Sequence, residues 1–207
     1  MKTILFQGDS ITDASRNKNS GENMGSGYPA IVSAKLSYEN PGEYEFVNRG
    51  VSGNKILQIL ARMKEDIINI KPDVMSILVG VNDVRHEIGF AMGTNAELYE
   101  RAYNFLIDEI RRELPEIKIM IFEPYVCLGD ATKETFKELH EGVLLRAAVA
   151  KRVAEKNGLK FVPLQKLIDD AEKKYPNQKW LMDGIHPAPA GHEIIAREWI
   201  KAYNEIK

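Results

Sequence analysis

The sequence predicts an α/β protein: a three-layer α/β/α sandwich on a five-stranded parallel sheet, with a flavodoxin-like order of elements. Three observations predict it. Short apolar runs recur along the chain, and three are nearly continuous in Val, Ile, Leu, Met or Phe, as in strands covered on both faces. Longer segments of helical period separate them, and repeated β-α alternation implies parallel pairing with helices on both sides. No linker, repeat or low-complexity stretch interrupts the pattern, so residues 1–207 are read as a single domain.

The strand runs are "TILF" (3–6), "YEFVN" (44–48), "VMSILV" (74–79), "IKIMIF" (117–122) and "KFVPL" (160–164). A helix is expected over 56–70, ended by Lys71-Pro72. A second covers 98–114, with Leu98, Ala102, Phe105, Leu106, Ile110 and Leu114 on one stripe. A third covers 140–158, with Gly158 as its C-terminal cap. The last runs from about Ala190 to Asn204, after Pro187 and Pro189, which suit a helix start.

Composition narrows the function. Of 207 residues, 44% are hydrophobic and 28% charged, an ordinary globular balance. The net charge is -2 and no long basic run exists, so a nucleic-acid partner is not expected. The single cysteine, Cys127, allows no internal disulfide and reads as a buried structural thiol, in keeping with a reducing compartment. No apolar run approaches the ~18 residues of a membrane span, and the N-terminus lacks a signal-peptide core. A cytoplasmic protein with no membrane partner is the expectation.

Ligand sites of such folds lie at the carboxyl ends of the strands. The first strand breaks into Gly8-Asp9-Ser10, the second into "NRGVSGN" (48–54) and the third into "VGVND" (79–83). Before the last helix stands "DGIHP" (183–187). Each motif alone is ordinary turn chemistry. Together they supply a nucleophile, backbone donors, an amide side chain and an Asp/His pair, which are the parts of an acyl-transfer site.

These blocks carry a resemblance to the SGNH (GDSL-like) hydrolases. Ser10 in "GDSIT", Gly53 in "GVSGN", Asn82 in "GVND" and His186 in "DGIHP" match the family's four blocks in order, over nearly the whole chain. The stretches "GDSITDASR" (8–16), "GSGYPAIV" (25–32), "NRGVSGNKI" (48–56), "KPDVMSILVGVNDV" (71–84) and "HPAPAGHEIIA" (186–196) resemble intracellular bacterial carbohydrate acetylesterases within it. The resemblance implies a cofactor-free serine esterase acting on short acyl esters, acetyl above all, of a sugar or oligosaccharide. It implies Ser10 as nucleophile, His186 as its base and Asp183 as the orienting carboxylate. The backbone N–H groups of Ser10 and Gly53 and the Asn82 amide would form the oxyanion hole. Asp9 would brace the turn, Arg16 the cleft entrance, and self-association would be common, though no sequence feature marks an interface. Close relatives often carry an aromatic residue soon after "ND"; here the run is Val84-Arg85-His86, which leaves the pocket's shape open.

The same residues admit other readings. A lipase- or thioesterase-type acylhydrolase fits the same blocks. A metal-dependent phosphoesterase would use His186 and His192, but no D-x-H opens the chain and no H-x-H closes it. A flavodoxin-like binding module would leave the Asp183/His186 pair without a purpose. "GSGYPA" fits a dinucleotide pattern yet follows a polar loop instead of a strand. His192 reads as a packed helix residue, and His86 and His140 as solvated.

Overall fold

Side-chain alternation in the first strand decides the layering. Ile4 and Phe6 point to one face, Leu5 to the other, and all three are fully buried. A strand buried on both faces must lie inside a sheet covered by helices on both sides. The computed structural model, which describes residues 1–19 and 23–207, has that arrangement. Its strands are β1 (Lys2–Gly8), β2 (Tyr44–Asn48), β3 (Val74–Leu78), β4 (Lys118–Phe122) and β5 (Lys160–Val162). They pair in parallel in the order β2-β1-β3-β4-β5.

The helices are α1 (Ser10–Asp13), α2 (Tyr28–Glu39), α3 (Ile56–Ala61), α4 (Val81–Phe90), α5 (Ala96–Glu113), α6 (Phe136–Lys156), α7 (Gln165–Lys174) and α8 (Pro189–Ile206). One layer packs Tyr28 and Val32 of α2 and Trp199 and Tyr203 of α8 against Ile4, Phe6, Val74 and Met120. The other packs Ile56 of α3 and Tyr99, Tyr103 and Leu106 of α5 against Leu5, Met75, Ile77 and Ile119. Helix α6 serves both layers, through Leu139 and Val143 on one and Val149 and Val153 on the other. No helix among the described residues is long and apolar enough to cross a membrane.

All five strand runs are present, with ends shifted by a few residues. Three helical expectations need correction. The segment 56–70 is not one helix: α3 stops at Ala61, and Lys64–Ile68 form a wider π turn. The Arg62 guanidinium reaches both Asp66 and Asn54 there, which ties the widened turn to the loop after β2. The buried stripe of α5 is Tyr99, Ala102, Tyr103, Leu106, Ile107 and Ile110, whereas Leu98 and Phe105 are exposed. The Tyr99 ring can face inward because its hydroxyl donates to the Val79 carbonyl at 2.9 Å, whereas the buried Tyr103 hydroxyl has no partner among the described residues. Helix α6 begins at Phe136, earlier than expected, but Gly158 does take the left-handed turn (φ 60) just past its end. Helices α1, α2, α4 and α7 lie outside the segments whose pattern predicts a helix.

The topology positions the site. The chain leaves β1 for one edge of the sheet and returns to β3 on the other side of β1. The carboxyl ends of β1 and β3 therefore flank the point where strand order reverses. Gly8 pairs with Leu78, so β1 and β3 end level, and β2 ends two residues earlier, at Asn48 opposite Phe6, so that the three loops converge.

Candidate active site

Ser10 opens α1, one residue after the strand-end turn. Asp9 caps that turn: its carboxylate accepts from the Ile11 N–H at 3.0 Å. A side chain at Gly8 would stand 2.4 Å from the Leu78 carbonyl oxygen, so only glycine lets the strand end this close to β3. Beyond α1 the backbone turns left-handed at Ala14 (φ 42) and Ser15 (φ 60), two strained positions on the wall of the same cleft.

The His186 block is held by a different device. Asp183 Oδ1 accepts from the N–H groups of Ile185 (3.0 Å) and His186 (2.8 Å), folding the loop back on itself. The Met182 N–H donates to the His186 carbonyl at 2.7 Å, and the Cys127 N–H to the Gly184 carbonyl at 2.8 Å. The ring of His186 then bridges the two blocks. Its Nδ1 is 2.7 Å from Asp183 Oδ2 and its Nε2 is 2.8 Å from Ser10 Oγ. Burial alone would raise the Asp183 carboxyl. The His186 N–H, the His186 ring and the Ile185 N–H outweigh it and hold the group below the usual carboxylate range. Asp183 is therefore an anion that keeps the ring proton on Nδ1 and leaves Nε2 free to accept from Ser10.

The loop after β2 wraps α1. The Val51 N–H donates to the Gly8 carbonyl (3.1 Å) and the Ser52 N–H to the Asp13 carboxylate (3.0 Å). Asn48 reaches the Thr12 carbonyl at 2.7 Å, and Arg16 Nε the Gly50 carbonyl at 3.0 Å. Gly53 sits at φ 81 in the apex of this loop. Neither its N–H nor that of Ser10 has a protein acceptor among the described residues. Asn82, in the first turn of α4, points its amide at Asp9 Oδ2 and the Asn54 carbonyl, each at 3.3 Å. Both contacts are long, so the amide can turn to a better acceptor. Asp83 beside it receives the Ile56 N–H (3.3 Å), joining the third block to the end of the second.

Burial pushes the carboxyls of Asp9 and Asp83 up to about 7, against the pull of the Ile11 and Ile56 N–H groups. Raised acids stabilise the fold fully below their unfolded value of 3.8, and that contribution is lost as pH rises toward 7. Asp183 has the opposite sign: its contribution is present above the ordinary carboxyl range and is lost on acidification. Each pH unit in the raised window is about 1.4 kcal/mol per carboxyl. We expect Asp83→Asn to shrink the drop in urea-unfolding free energy between pH 5 and 8 by about 2–3 kcal/mol. An unchanged pH profile in that variant would contradict the assignment.

The cleft over Ser10 is about 430 Å³, of a size that takes a small organic ligand. Ile11, three serines (Ser15, Ser26, Ser52), Met182, Pro187 and Pro189 line it with Ser10 and His186. The structure thus brings Ser10, Asp183, His186 and Asn82 together and places the Gly53 loop against them. It also moves two expectations. Val84 is buried in the core and Arg85 is exposed, and neither lines this cleft. His86 and His140 are half-buried, each with its ring against a phenylalanine, Phe90 and Phe136. Cys127 is a buried thiol, as expected. His192, expected as packing, is buried in α8 but lines the cleft as well. Five residues lie between it and His186, and the first turn of α8 returns it to the same wall.

Comparison with known proteins shows the family. Residues 6–194 match the GDSL-like lipase/acylhydrolase family. The acetylxylan esterase of Geobacillus stearothermophilus is 32% identical over 96% of this chain and 92% of its own length. The crystal structure of that esterase superposes with a TM-score of 0.85 at 30% identity, covering 97% of this chain and 93% of the other. A Parabacteroides merdae protein described as a GDSL-like lipase superposes with a TM-score of 0.91 at 34% identity, covering 98% and 95%. A strand-end serine with a histidine on its Oγ, in a chain of this length and likeness, gives one conclusion: the protein belongs to the GDSL-like lipase/acylhydrolase family and is a carboxylic ester hydrolase.

Proposed function

We propose that the enzyme is a serine esterase that removes acetyl groups from acetylated sugars or oligosaccharides, with Ser10, His186 and Asp183 as its triad. The observation that carries this reading is the unbroken chain from Ser10 Oγ through His186 to Asp183, at 2.8 and 2.7 Å, on the floor of an open cleft. The acetyl-sugar part rests on the acetylxylan esterase relative and on a cleft whose walls mix hydroxyls with prolines.

In this reading Ser10 Oγ attacks the ester carbonyl carbon while His186 Nε2 takes its proton. Asp183 stabilises the imidazolium that results. The oxyanion is received by the N–H groups of Ser10 and Gly53 and by the Asn82 amide, which gives up its long contacts to do so. The carbon–oxygen bond to the alcohol then breaks, and His186 returns the proton to the leaving oxygen. Water repeats the sequence on the acetyl-serine and releases acetate.

Two measurements check the proposal. Asn82→Ala should lower kcat toward phenyl acetate by about 10²–10³ with little change in KM, because the amide acts on the oxyanion more than on the ground state. Acetate release from acetylated xylo-oligosaccharide should exceed hydrolysis of phenyl octanoate in kcat/KM. A preference for the octanoyl ester would favour a lipase-type acylhydrolase instead.

A further inference from the structure

Among the described residues that line the cleft, His192 is the titratable side chain that the triad leaves unused. It is only 8% exposed, yet it borders the space above Ser10. Its Nδ1 accepts the Tyr28 backbone N–H at 3.2 Å. A ring nitrogen that accepts an N–H carries no proton, so the proton of the neutral ring lies on Nε2. Burial, and the nearby His186 ring after it, push the His192 pKa down to about 4, which keeps the ring neutral at working pH. Nε2 has no partner among the described residues, and it is not among the atoms sealed in the core.

The surrounding backbone is shaped to this ring. A side chain at Gly27 would stand 2.8 Å from His192 Cε1 and 2.6 Å from Ala14 Cβ. The glycine in "GSGYP" thus lets the loop before α2 close on the histidine. The Tyr28 N–H alone needs only some acceptor. It does not explain why the loop closes on this ring and fixes its other nitrogen as a donor on a side chain that borders the cleft.

We propose that His192 Nε2–H is a substrate-binding donor, which hydrogen-bonds a hydroxyl or ether oxygen on the alcohol portion of the ester. Only an acceptor oxygen can satisfy it. The acyl carbonyl oxygen already has three donors in the oxyanion hole, so the alcohol side of the substrate is what remains. The inference rests on the sugar-ester reading above, and it makes His192 a determinant of preference for sugar esters over simple aryl esters.

The test compares an acetylated methyl xyloside with phenyl acetate, whose leaving group offers no further acceptor. His192→Asn keeps an acceptor near the Nδ1 position for Tyr28 but is too short to reach into the cleft. His192→Gln can place an amide donor near the Nε2 position. We expect His192→Asn to lower kcat/KM for the xyloside about tenfold, mainly through KM, and to leave phenyl acetate within about twofold. His192→Gln should recover part of the loss. Equal losses on both substrates would mean that His192 only props the loop at Tyr28, and no loss on either would also overturn the proposal. Wild-type enzyme that cleaves phenyl acetate but not the xyloside would sink the sugar-ester reading and this inference with it. Xyloside cleavage indifferent to both variants would sink this inference alone.

Discussion

Replacing Ser10 by alanine is expected to lower kcat/KM toward phenyl acetate by about 10⁴-fold or more, with no comparable loss of stability. The hydroxyl is the only group removed, and its partner among the described residues is His186 Nε2. The turn itself is held by other atoms: the Asp9 carboxylate on the Ile11 N–H and the Asp13 N–H on the Asp9 carbonyl. Unfolding curves of the two proteins should overlay within a few degrees. Residual hydrolysis near the wild-type rate would remove Ser10 from the chemistry. His186→Ala should behave like Ser10→Ala, and the double variant should lose little more, because the two residues act as one unit.

The second large effect concerns the layer beneath the site. Trp199 is fully buried, with its ring 5.4 Å from those of both Phe6 and Tyr203. Phe6 in turn meets the edge of Tyr28 at 5.8 Å, so Trp199 anchors α8 to β1 and, through it, to α2. Trp199→Ala should cost about 3–5 kcal/mol from lost transfer energy and the cavity left behind. For a chain of this size that lowers the midpoint of thermal unfolding by roughly 6–20 °C. Trp199→Phe should recover most of it, partly because the indole N–H it removes has no partner among the described residues. Activity of the folded fraction should stay close to wild type, since no atom of Trp199 lines the cleft. A Trp199→Ala variant that melts with the wild type would contradict the packing account.

The sheet was legible in the sequence because doubly covered strands leave continuous apolar runs. The parts of the site were legible because three of its four blocks follow such runs directly. What escaped had physical causes. Helix α2 mixes buried Tyr28, Val32 and Leu36 with exposed Tyr38, so it shows little periodicity. Helix α4 buries Asn82 and Asp83 in its first turn, a pattern that reads as polar loop. In α5 the tyrosines took the inner face and Phe105 the outer one, a choice that hydrophobicity ranking does not make. The π turn after α3 depends on Arg62 reaching across to Asn54, a contact between segments that local pattern does not reveal. His192 escaped because a lone histidine on a helix usually packs. This one does pack, and borders the cleft as well.

If Ser10 is the nucleophile and His186 its base, Ser10 becomes acetylated during turnover and only when His186 is present. The most direct measurement is peptide mapping by mass spectrometry after rapid acid quenching of the enzyme with p-nitrophenyl acetate. One acetyl group is expected on the peptide containing Ser10, formed within the burst of nitrophenol release and absent from His186→Ala. Turnover with no acetyl group on Ser10, or with the label on another side chain, would contradict it.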